Sequence, residues 1–173
     1  GYKAAYSNTT ARFNQAIGVE ASYNTTTGGY NTSLGFQALY TNTTGTHNFA
    51  MGYQSLYSNV SGGDNLALGV KSLFSNTTGQ NNVAIGSLSL NKNTEGIYNN
   101  AIGYQALYLN TTGDYNNASG YVALYSNTSG NNNLANGIYS LFKNTTGSNN
   151  IGIGSFAGYS NQSGSSNIFI GYS

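Results

Sequence analysis

Gly1, Gly18, Gly35, Gly52, Gly69, Gly86, Gly103, Gly120, Gly137, Gly154 and Gly171 follow one another at an unbroken spacing of 17 residues. The chain of 173 residues is ten copies of one unit plus the start of an eleventh, spelled approximately G-Y-x-A-L-Y-S-N-T-T-G-x-N-N-x-A-I. Self-similarity at a short fixed period marks a repeat architecture, in which each unit stacks on its neighbours. Positions in the unit are counted 1 to 17 from the leading glycine.

A 17-residue unit is too short for a helical hairpin, which needs about 33 residues or more. A second glycine column at position 11 (Gly28, Gly45, Gly62, Gly79, Gly96, Gly113, Gly130, Gly147, Gly164) cuts the unit into two runs, x-A-I and Y-x-A-L-Y. Both runs are rich in β-branched and aromatic residues, which suit a pleated surface. The N-T-T-G segment between them has turn chemistry. The unit is therefore expected to fold as strand, corner, strand, turn. Ten such coils make an all-β parallel β-solenoid or β-roll, one repeat domain over 1–173. At strand spacing it is a rod about 48 Å long.

Ala dominates position 16, and Ala or Ser fills position 4; larger aliphatics sit one residue away, at positions 17 and 5. Adjacent strand residues point to opposite faces, so both faces are expected to be apolar. One fills the coil and the other needs a partner chain. Position 14 is Asn in every copy: Asn14, Asn31, Asn48, Asn65, Asn82, Asn99, Asn116, Asn133, Asn150 and Asn167. Identical amides stacked at strand spacing form a hydrogen-bonded ladder. The aromatic column at position 6 (Tyr6, Tyr23, Tyr40, Tyr57, Phe74, Tyr108, Tyr125, Phe142, Tyr159) is expected to stack likewise.

Catalytic chemistry finds little to work with. His47 is the one histidine, the acids Glu20, Asp64, Glu95 and Asp114 lie in different coils, and there is no Cys. No nucleophile–base relay, thiolate or histidine metal cage, or cofactor motif can be assembled from them. No enzyme activity and no cofactor are expected. Five basic and four acidic side chains leave a net charge of +1, too little for a nucleic-acid or anionic-membrane footprint. No apolar run approaches the length of a membrane span. The chain lacks an evident polar end coil, so it is expected to be a segment of something longer or of a filament.

The motif that does carry chemistry is the N-glycosylation acceptor Asn-x-Ser/Thr. It recurs at the turn, at Asn8, Asn24 (shifted by one), Asn42, Asn59, Asn76, Asn110, Asn127, Asn144 and Asn161, and is broken at Asn93, where Glu95 stands two residues on. The turns are expected to project outward and to carry sugar on some of these residues, which would solubilise a surface of low charge.

The segments Asn82-Val83-Ala84-Ile85-Gly86 and Asn150-Ile151-Gly152-Ile153-Gly154 resemble the N-x-A-I-G units in the heads of trimeric autotransporter adhesins; similar repeats occur in phage tail-fibre proteins. The resemblance implies a left-handed parallel β-roll, three chains packed side by side, exposed at a cell surface or secreted, with host, matrix or cell-surface ligands. The N-T-T-G turn makes this coil longer than the family's. The reading is a structural and adhesive fibre. The alternatives are a phage tail-fibre shaft and an ice-binding solenoid, although the Thr pairs fall on the turn rather than mid-strand.

Overall fold

The computed structural model describes residues 1–172 and contains, among them, ten strands and no helix. The strands run from β1 (Gln15–Ile17) and β2 (Thr32–Leu34) to β10 (Ile168–Ile170), each three residues long at positions 15 to 17. They pair in parallel, in chain order, as one ten-stranded sheet. The register is one unit throughout: Ala50 pairs with Ala67, and Ala84 with Ala101. The protein is a parallel β-solenoid with one 17-residue unit per coil.

The leading glycines stack. Gly69 has φ of 133°, a conformation open to glycine and hardly to any L residue. A Cβ added there would lie 2.6 Å from the carbonyl oxygen of Gly86 in the next coil. The unbroken glycine column is thus required twice, by the corner's backbone and by the approach of successive coils.

Each coil holds one strand, not two. The Y-x-A-L-Y run pairs with its neighbours, as in Leu56 N–H to Ser72 O and Ser58 N–H to Phe74 O, at 2.9 and 3.0 Å. Positions 3 and 5 of the unit, the second and fourth residues of this run, are however left-handed: φ is 52° at Gln54 and 50° at Leu56. That backbone suspends the strict in-and-out alternation of a strand. Position 4 and position 5 therefore both point inward, correcting the expectation that the position-5 leucines lie on the opposite face. Leu39, Leu56, Leu73, Leu90, Leu107, Leu124 and Leu141 are fully buried, together with the position-16 alanines from Ala50 to Ala135. Left-handed backbone costs an L residue roughly 1–2 kcal/mol, which full burial of a leucine, worth about 1.5–3 kcal/mol, offsets.

The last coil rearranges this core without losing volume. Gly158 replaces leucine at position 5 and Phe169 replaces alanine at position 16, and the ring packs against the core. A Cβ on Gly158 would meet Phe169 Cδ2 and Leu141 Cδ2, so the glycine is what admits the larger ring.

Candidate functional site

Two amide ladders run through the coil. At position 14, Asn82 Oδ1 accepts the backbone N–H of Asn99 at 2.9 Å, and Asn82 Nδ2 donates to Gly96 O at 2.8 Å. The same two bonds recur from Asn14 to Asn150, whose Oδ1 accepts the backbone N–H of Asn167. The side chains from Asn31 to Asn150 in this column are buried.

The second ladder is at position 8, and it corrects the reading of the turn. Nδ2 of Asn59 donates to Asn42 Oδ1 at 2.8 Å and to Gly62 O at 2.9 Å. Asn76, Asn110, Asn127 and Asn144 repeat the arrangement. Asn42, Asn59, Asn76, Asn110, Asn127 and Asn144 have 0% exposure. These turns do not offer their asparagines to solvent. A sugar on Nδ2 would break both bonds and force a large polar group into the coil, so the interior sequons are structural asparagines and not acceptors. Asn161 makes the same two bonds half-buried, Asn24 lies half-buried beside the ladder, and Asn8 is exposed in the first coil. Asn93 joins the ladder although its sequon is broken. The two ladders meet at position 11, where Gly62 O accepts from Asn48 Nδ2 and from Asn59 Nδ2, both at 2.9 Å.

Hydroxyls at the turn divide into two columns. Those of position 9 are consumed: Thr77 Oγ1 donates to Thr94 O at 3.0 Å. Position 10 is exposed in every coil. At position 12, a third ladder runs through the later coils: Asp114 Oδ1 accepts Ile97 N–H at 2.8 Å, Asn131 Oδ1 accepts Asp114 N–H at 2.7 Å, and Ser148 Oγ accepts Asn131 N–H at 3.0 Å.

The position-6 aromatics stack face to face. Tyr40 and Tyr57 have ring centroids 5.1 Å apart and an interplanar angle of 2°. The column is interrupted at Asn91, whose Nδ2 donates to Lys71 O at 2.8 Å. Because the faces cover one another, the rings show solvent mainly their edges. Burial, with the Glu20 charge second, raises the Tyr40 phenol above its ordinary value, and burial does the same at Tyr125. Raised phenol pKa values mean that stability falls as pH climbs past about 10, where the unfolded phenols ionise and these two resist. An alkaline absorbance titration should therefore lose a late-titrating component in Tyr40→Phe, and a titration curve identical to that of the parent would contradict the assignment.

The outer face of the sheet is apolar. Positions 15 and 17 point out of the coil and carry Phe49, Leu66, Val83, Met51, Leu68, Ile85, Ile102 and Ile153, exposed or half-buried. Across the glycine corner, position 2 adds exposed Val19, Phe36, Tyr53, Val70, Tyr104, Tyr121 and Ile138. None of the thirty residues at these three positions of the ten coils is charged; Gln15, Thr32, Ser87 and Ser155 are scattered uncharged polar groups, and Asn100, Asn117, Ser119 and Asn136 form a cluster of them that interrupts the strip. Among the described residues, no three His, Asp or Glu side chains come together as a metal-holding group, and no helix is long and apolar enough to cross a membrane. What the arrangement offers is a surface for association. Comparison with protein-family models, curated proteins and solved structures finds no match to this chain.

Proposed function

We propose that this chain forms a stretch of an extracellular or cell-surface fibre, structural and adhesive in role, whose rods pack side by side through the outer sheet face. The observation that carries the reading is the uncharged apolar strip at positions 2, 15 and 17, running the length of the rod. A strip about 48 Å long and about 13 Å wide, at strand spacing and rise, gives a footprint on the order of 600 Å² per chain. Standard interfaces cover about 800 Å² per partner, so the strip is of the right size for a stable contact. An exposed apolar patch of this size stands at the upper end of what a monomer carries, and such patches are often functional. The resemblance to adhesin heads supports a left-handed, homotrimeric arrangement. The polar break from Asn100 to Asn136 would set the register between neighbouring rods, since a mispaired rod would bury these amides against apolar side chains.

Sedimentation tests the assembly. The protein should sediment as a trimer, and Leu68→Lys combined with Ile85→Lys should convert it to monomer while the β-sheet circular dichroism persists. A parent protein that sediments as a monodisperse 18.1 kDa monomer would overturn the proposal.

A further inference from the structure

The sole arginine and the sole histidine of the chain, 35 residues apart, line one surface groove of about 390 Å³, with Thr27, Gly29, Tyr30 and Thr46 among its other walls. The volume lies within the range of small-ligand clefts. Its floor is the position-12 column in the first coils, where the ladder described for later coils is missing. There Asp114 Oδ1 satisfies Ile97 N–H; here Gly29 has no side chain to do the same for the Arg12 backbone N–H. An ideal Cβ on Gly29 would lie 3.8 Å from Arg12 N, so a polar atom just beyond it would reach that donor. The Arg12 N–H makes no hydrogen bond within the described protein, nor do the Arg12 guanidinium and the Thr27 and Thr46 hydroxyls. The rings of Tyr30 and His47 stack at 4.9 Å and 4°, holding the opposite wall in place. No acidic side chain lines the groove.

We propose that this groove binds a carboxylated sugar. Its donors are an unpaired guanidinium, an unpaired backbone N–H and free hydroxyls. The later coils show which group completes such a donor, because the carboxylate of Asp114 already occupies the equivalent place. A ligand carboxylate bridges Arg12 and the vacant N–H, a charge-assisted contact, while the threonine hydroxyls meet the sugar hydroxyls. The groove is built from positions 10 to 13 and stands apart from the strip at positions 2, 15 and 17, so it does not depend on rod assembly.

The single histidine gives a single set of imidazole resonances, which makes nuclear magnetic resonance titration the natural test. Methyl α-D-glucuronide should shift the His47 ring signals and the Gly29 amide saturably, and methyl α-D-glucoside should not. Arg12→Gln should weaken glucuronide binding at least tenfold. Gly29→Asn should abolish it by supplying the missing acceptor, as Asn131 does for Asp114; its Cβ would lie 2.9 Å from Arg12 O, so amide shifts are expected in the first two coils and the spectrum of the later coils should be unchanged. Absence of a saturable shift, equal binding of the neutral glucoside, or full binding by Arg12→Gln would each overturn the proposal. Acetate binding as tightly as glucuronide would overturn the assignment to a sugar. None of these failures touches the sedimentation result, so the two readings fail separately.

Discussion

Gly69→Ala is expected to destabilise the rod by about 2–6 kcal/mol. Two effects add. The backbone at φ of 133° strains any L residue by about 1–3 kcal/mol. The new methyl also lies 2.6 Å from Gly86 O, 2.7 Å from Gly86 C and 3.1 Å from Ser87 N, backbone atoms that can retreat only if the coils separate, at a further cost of about 1–3 kcal/mol. Because each coil touches mainly its neighbours, the damage should stay local. Hydrogen exchange should quicken at the coils beginning with Gly69 and Gly86 before the rod ends respond. Gly63→Ala is the matched control: position 12 carries side chains in other coils, and the φ of Gly63 is not among the positive values. Urea unfolding in which both variants shift by less than about 1 kcal/mol would refute the account of the glycine column.

Asn82→Ala should cost about 2–6 kcal/mol. The substitution removes the acceptor of the Asn99 backbone N–H and the donors to Gly96 O and Asn65 Oδ1. Gly96 O keeps its bond from Asn93, and Asn65 Oδ1 keeps the Asn82 backbone N–H. The Asn99 N–H is left buried and unpaired, a penalty of roughly 1–3 kcal/mol, and each lost bond adds about 0.5–1.5 kcal/mol net. Asn100→Ala, on the outer face, removes an amide whose Oδ1 has no partner and should be near neutral. Equal effects of the two substitutions on urea midpoints would show that the buried column is not a working ladder.

The period made the coil legible before any coordinate, because a 17-residue step locks every column into register. Position 14 was legible for the same reason: an asparagine in every coil, next to a strand, has few other employments. Position 8 misled because Asn-Thr-Thr-Gly spells an exposed turn and a glycosylation acceptor equally well. The signal that separates them was present at Asn93, where Glu95 destroys the sequon and the asparagine nevertheless stays. A residue kept after its modification motif is lost is held by geometry, here a bond to Asn76 at 2.8 Å. The position-5 leucines misled for a different reason. Alternation assumes extended backbone, and nothing in Y-x-A-L-Y announces that its second and fourth residues are left-handed, since Gln, Lys and Leu are poor markers of positive φ. The groove at Arg12 was illegible because it is made by an absence, a glycine where later coils carry a ladder residue, and its walls come from three different coils.

The constant register between successive strands also bears on how such a chain can change over generations. Removing or duplicating any whole 17-residue block in the interior leaves every surviving coil with the neighbour it requires, since each step of the stack presents nearly the same groups above and below. Recombination between nearly identical repeat copies would make such changes. Rod length is then a trait adjustable in steps of one coil, without redesign of the core. Local novelties such as a glycine at position 12 can arise in one coil while the others hold the rod upright.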